Sequence, residues 1–160
     1  MGEYLPNLLQ MGNDERVVGL VSTHDYSGFL LFCFENGKIA KVDLKSYWTK
    51  SNRKKLTNAY SVASPVVKII YVKEDSDIVL ISNCGKALCF NTEKIALKTT
   101  KNTQGVMVMQ PTKGSVVVDA MLEKDCPFKD IKVYRPRNIP SKGVFVKPED
   151  EGTEQITLFD

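Results

Sequence analysis

The 160 residues predict an all-β protein assembled as an array of four-stranded sheet modules. Three observations carry that prediction. Apolar residues gather in short runs rich in β-branched and aromatic side chains, and helical spacing is nearly absent. Glycine-containing turns separate the runs. One hairpin-sized pattern recurs at an interval of about fifty residues, the period of propeller blades and related arrays.

The elements follow in chain order. Val17-Val18-Gly19-Leu20-Val21 is the first predicted strand, followed by Phe29 to Phe34, Val66 to Val72, Ile78 to Ile81, Gly105 to Gln110 and Val116 to Met121. Asn36-Gly37 and Cys84-Gly85 each divide two apolar runs, where a two-residue hairpin turn wants a residue tolerant of positive φ and then glycine. Laid on one another, Phe29–Val42 and Asp77–Phe90 match at an offset of 48, which sets Gly37-Lys38 on Gly85-Lys86. Val17-Val18 falls on Val66-Val67 at 49, and Val116-Val117 continues the series at a further 50. The folded body is therefore predicted to span 1–148, with repeat units at about 17–65 and 66–115, a partial unit at 116–148, and an acidic tail at 149–160. Alternation along the second strand of each hairpin puts Ala40 and Val42, like Leu88 and Phe90, on the inner face and leaves Lys41 outward. Each hairpin leads into one short helical turn, Leu44–Trp48 and Thr92–Leu97, and then into a basic, hydroxyl-rich loop, 49–55 in the first unit and 98–105 in the second.

With 42% apolar, 26% charged and 9% aromatic residues, the chain can bury one sizeable core or two small ones. Its longest apolar run, Phe29 to Phe34, is far short of the roughly 20 residues that span a bilayer. Met1-Gly2-Glu3-Tyr4 lacks the basic and apolar regions of a secretion signal, so a cytoplasmic protein is expected. Four cysteines are too few for a disulfide scaffold. Cys84 and Cys89 lack zinc spacing, and the single histidine, His24, is remote from them; no metal is expected. No glycine-rich phosphate loop opens a helix, no nucleophile has a histidine partner and no carboxylates pair, so neither a catalytic residue nor a cofactor is expected.

The formal charge of +3 conceals an asymmetry. From Lys38 to Lys101 stand 13 basic and 5 acidic residues, a local +8, whereas the remainder carries 9 against 14, a local −5. Positive charge gathered on one region attracts polyanions, of which nucleic acid is the commonest in the cytosol. Lysine, arginine, serine, threonine and asparagine in the two loops are donors suited to phosphate oxygens. Glu149, Asp150, Glu151, Glu154 and Asp160 form an acidic block of the self-repelling, solvated kind.

This ordered pattern, carried by Phe29 to Tyr60 and again by Ile78 to Met121, resembles the C-terminal domain of the A subunit of bacterial type IIA topoisomerases, DNA gyrase and topoisomerase IV. Asn7 to Val18 resembles the outgoing edge of a preceding blade, and Ile156 to Asp160 resembles the ending of some relatives. The resemblance implies a β-pinwheel, here a partial one of two full blades and fragments of others, that takes double-stranded DNA along a basic rim. It implies as partners the ATPase B subunit of such an enzyme with the remainder of the topoisomerase A subunit, no membrane, and a bacterial nucleoid setting. The DNA-cutting tyrosine of the family belongs to another part of the subunit; Tyr4, Tyr26, Tyr47, Tyr60, Tyr71 and Tyr134 are expected to pack. Two departures stand out. The Gln-Arg-Arg-Gly-Gly-Lys-Gly box associated with strong wrapping is missing, with Thr99 to Gly105 at a related position only. The blades are also fewer than the family's five or six, which implies a first blade face left open to self-association.

The track implied for DNA consists of Lys38, Lys41, Lys45, Lys50, Arg53, Lys54 and Lys55 in one unit and Lys86, Lys98 and Lys101 in the next. Trp48 and Tyr47 are expected to anchor the short turn to the blade. The alternative from another class is a propeller-like protein-interaction module whose loops take an acidic partner.

Overall fold

A computed structural model describes residues 25–48, 59–148 and 150. The predicted strand at Val17–Val21 and the basic residues Lys50, Arg53, Lys54 and Lys55 lie outside the described residues. Eight described strands run β1 Phe29–Phe34, β2 Lys38–Asp43, β3 Val66–Val72, β4 Asp77–Ser82, β5 Lys86–Asn91, β6 Val106–Met107, β7 Val117–Leu122 and β8 Val144–Phe145. They form two antiparallel four-stranded sheets of matching order, β3-β1-β2-β6 and β7-β4-β5-β8. The sheets interleave along the chain. β3 and β6 lie beyond residue 65 yet complete the sheet that β1 and β2 begin, so the sequence repeat and sheet membership follow different boundaries.

The two sheets stack front to back. The rear face of the first sheet (Leu31, Cys33 and Ile39) meets the front face of the second (Ile78, Leu80, Leu88 and Phe90) in one buried cluster. Adding the repeat offset of 48 to Leu30, Phe32, Ala40 and Val42 gives Ile78, Leu80, Leu88 and Phe90. The first four make a separate cluster on the front of the first sheet, joined by Phe34 and Leu44. Val79, Ile81, Ala87 and Cys89, the counterparts of Leu31, Cys33, Ile39 and Lys41, make a third cluster on the rear of the second sheet. Each fully buried Leu, Ile or Phe contributes about 1.5–3 kcal/mol by leaving water, so three such layers carry the fold. Between the sheets, the backbones come together at β3 and β7.

Three expectations change here. Lys41 is not outward: it is 6% exposed, because the face opposite Ala40 and Val42 meets the next sheet instead of water. The hairpins turn through three residues, not two. Gly37 N–H donates to Phe34 C=O and Gly85 N–H to Ser82 C=O, and in each turn only the glycine has positive φ, +84° and +79°. This is a type I turn closed by a left-handed glycine, which asks nothing special of Asn36 or Cys84. The front face of the first sheet is buried as well, with the Tyr47 and Tyr60 rings beside Phe32. It is no open edge.

Tyr26, Tyr47, Tyr71 and Tyr134 all pack against these clusters as expected. Trp48 is 57% exposed, and Tyr47 holds the turn by donating its hydroxyl to Ala59 C=O at 2.6 Å. The predicted strand 105–110 shortens to β6, with Met109 bridging Ser141. No described helix is long and apolar enough to cross a membrane.

Candidate nucleic-acid interface

Of the described basic residues of the first unit, Lys38 stands on β2 and Lys45 in the turn that follows it. Lys38 opens the strand opposite Met107 of β6, and its N–H donates to Asn36 Oδ1. At the other end Val42 bridges to Lys98: Lys98 N–H donates to Lys41 C=O and Asp43 N–H to Lys98 C=O, both at 2.8 Å. The loop leaving the second hairpin thus returns to the edge of the first sheet, attaches at Lys98, and attaches again at Val106. Gly105 makes the second attachment possible, since a Cβ there would lie 2.3 Å from Ile39 O. Residues 99–105 are therefore a loop held at both ends on the outer edge. Lys98, at its anchored start, is exposed, and Lys101 within it is half-buried. Exposed Lys45 stands in the 3-10 turn Leu44–Tyr47, two residues past Asp43, whose carboxylate caps the turn by accepting from Lys45 N–H.

A cleft of about 490 Å³ lies beside this loop, between Ala59–Ala63 and Asn102 with Gln104. Its first wall directly follows the basic stretch 49–58 in sequence, so the flanks of the two basic loops face each other across one opening. Val62 projects into solvent at its rim.

The second sheet repeats the edge in part. Lys86 opens β5 opposite Phe145 of β8, with its Nζ 4.9 Å from the ring centroid. Exposed Lys142 shares a crevice with Lys86, and Lys147 follows β8. Sequence reading missed Lys142 and Lys147. A signal existed: Gly105-Val-Met-Val108 and Gly143-Val-Phe-Val146 are the same edge-strand motif, but at a spacing of 38, outside the fifty-residue register.

Lys41 does different work. Its Nζ donates to Asp75 Oδ1 at 2.6 Å and to Thr92 C=O at 3.1 Å, and lies 4.5 Å from the Phe29 ring centroid. Thr92 Oγ1 donates to the same Asp75 oxygen and accepts from Ser76 N–H. The hydrogen bond from Lys41 holds the Asp75 carboxyl below the ordinary carboxylate range. A charge so engaged pins one sheet to the next and is not free for phosphate. Asp150 also departs from expectation. It is 1% exposed and accepts from the Tyr134 hydroxyl and Lys129 N–H, so this member of the acidic block is a buried, paired carboxylate.

No family model matches the chain. By sequence it is 28% identical over 125 residues to the A subunit of DNA gyrase from Borrelia hermsii, covering 77% of this chain and 15% of that protein. Among solved structures, the C-terminal domain of DNA topoisomerase IV superposes with a TM-score of 0.68 at 22% identity, over 76% of this chain and 38% of that one. The fold is a β-pinwheel. A gyrase A C-terminal domain agrees, with a TM-score of 0.59 at 23% identity over 78% of this chain and 42% of that one. In sequence and in fold, this β-pinwheel is similar to part of the C-terminal domain of a type IIA topoisomerase A subunit. It spans about two-fifths of each solved domain and about 15% of the whole gyrase polypeptide.

Proposed function

We propose that this β-pinwheel binds duplex DNA by its phosphates along the outer edges of its sheets, as a non-catalytic part of a type IIA topoisomerase A subunit that presents DNA to the catalytic core. One observation supports the reading: the loop 99–105 is fastened at both ends to the β2 edge, with Lys98 bridged beside Val42, Val106 paired with Ile39, and Lys101 between them. Lysines on a fastened backbone lose less freedom on meeting a polyanion than the same residues on a free loop. Lys86 with Lys142 adds to these on the second sheet, and Lys50, Arg53, Lys54 and Lys55 add to them by sequence adjacency to the cleft wall. Lys41 is left out. Wrapping would follow from such contacts repeated around a curved rim, where they offset a bending cost on the order of several kcal/mol. The partners are duplex DNA, the ATPase B subunit of the enzyme, with the rest of the A subunit, in a bacterial cytoplasm at the nucleoid.

The test is a duplex titration at several salt concentrations with Lys98→Glu/Lys101→Glu and with Arg53→Glu/Lys54→Glu/Lys55→Glu. Each lost phosphate contact reduces the slope of log affinity against log salt by about 0.9. Unchanged affinity and slope in both variants overturn the reading and leave an acidic protein as the partner to test.

A further inference from the structure

We infer that residues 123–143 stand in the chain where a third blade would be inserted, and that they cap the array by covering the face on which that blade would stack. This rests on the fold alone and not on DNA binding.

Leaving β3, the chain builds the next sheet's hairpin, β4 and β5, before it returns through Gly105 to add β6 to the first sheet. Leaving β7, it should in the same way build a third hairpin before returning through Gly143 to add β8. The return is repeated within the chain: Gly143 has φ +79°, like Gly105 at +81°, and a Cβ on it would lie 2.9 Å from Ala87 O. The insertion is not. Between β7 and β8 stand only the 3-10 turns Glu123–Asp125 and Ile131–Tyr134.

The packing says where this segment goes. The rear face of the first sheet receives the second sheet; its counterpart on the second sheet, Val79, Ile81, Ala87 and Cys89, receives Tyr134, Phe128 and Val146 instead. The cap is fastened by polar contacts. The Tyr134 hydroxyl donates to buried Asp150 and accepts from Lys147 N–H. Arg135 Nη1 donates to Asp77 Oδ1 at 3.0 Å, at the start of β4, and Nη2 lies 3.9 Å from Glu123 Oε2. A face built to take another sheet is thus filled from within.

Amide hydrogen exchange on the full chain tests it, with light scattering over a tenfold concentration range. Arg135→Ala should speed exchange of the Cys126, Arg135 and Asp150 amides roughly twofold to fivefold, the effect of one partly exposed ion pair, and leave β1 and β2 unchanged. Tyr134→Ser should release the cap and expose the rear face, so that the chain binds a hydrophobic dye and associates with rising concentration while β1 and β2 stay protected. Equal loss of protection in both sheets on either substitution would overturn the inference, because the segment would then belong to one undivided core. So would a Tyr134→Ser protein whose cap amides exchange freely while it stays monomeric and silent to the dye.

Discussion

Lys41, Asp75 and Thr92 show how one buried charge decides between two readings of a residue. Asp75→Ala leaves the Lys41 ammonium with a single carbonyl in an apolar layer, and should cost about 1–3 kcal/mol in urea denaturation. Lys41→Met, which removes the charge and keeps the volume, should cost less and leave duplex affinity within twofold. The pH dependence follows from the lowered Asp75 carboxyl. A group whose folded pKa is depressed adds stability that is present above its ordinary value and lost as pH falls through the folded one. The pair therefore supports the fold from neutrality down to about pH 4 and fails below it. Because the Asp75 side chain is 41% exposed, water screens the pair and the effect on the melting temperature is modest; Asp75→Asn should flatten the acid limb of that profile. The cysteines divide similarly. Hydrogen bonds from Ser115 and Ser82 bring exposed Cys84 down to about 7, while burial pushes Cys33 up to about 12. At pH 7.5 an alkylating reagent should therefore modify Cys84 first, and equal labelling of Cys33 in the folded chain would contradict the packing described.

The two hairpins form an internal comparison at the scale of elements. Gly37 and Gly85 hold the same conformation, but a Cβ at 37 would lie 1.8 Å from Met109 O, whereas at 85 nothing stands within 4 Å. Gly85→Ala should cost only the left-handed backbone penalty, about 1–2 kcal/mol. Gly37→Ala should cost about 3 kcal/mol or more, since Val108 and Met109 N–H both donate to the Gly37 carbonyl and hold the strand against it. Thermal or urea unfolding of the pair checks the difference. The same hairpins show what was legible in the sequence. Glycine after a short apolar run located both turns, an aromatic-rich run located β1, and β-branched runs located β3, β4 and β7 within a residue or two. Turn length was not legible, because a left-handed glycine closes two- and three-residue loops alike. Nor was the side on which Lys41 lies, because a period of two separates the faces of a strand without saying whether water or another sheet meets each one.

At the scale of the molecule, the recurrence near fifty residues revealed stacked modules but not their interleaving, since β3 and β6 are drawn into the first sheet from beyond its repeat. The edge motif at Gly143 escaped for a related reason: residues 123–143 are shorter than the hairpin they replace, which moves the motif out of register. Of the candidate site, the sequence located the lysines but not which way they face: Lys38 stands on β2 and Lys98 bridges to its edge, and Lys86 opens the equivalent strand of the second sheet, whereas Lys41 turned inward and Lys142 was unseen. Affinity for duplex DNA should accordingly depend on ionic strength far more than on base sequence, as contacts to phosphate alone require. The most direct measurement is the salt dependence of duplex binding for the native chain and Lys98→Glu/Lys101→Glu. The account predicts a slope shallower by about 2 in the variant and affinity reduced on the order of tenfold or more at low salt, with Lys41→Met indistinguishable from the native chain. A variant that binds with the native slope, or a Lys41→Met protein that loses as much as the double reversal, would contradict it.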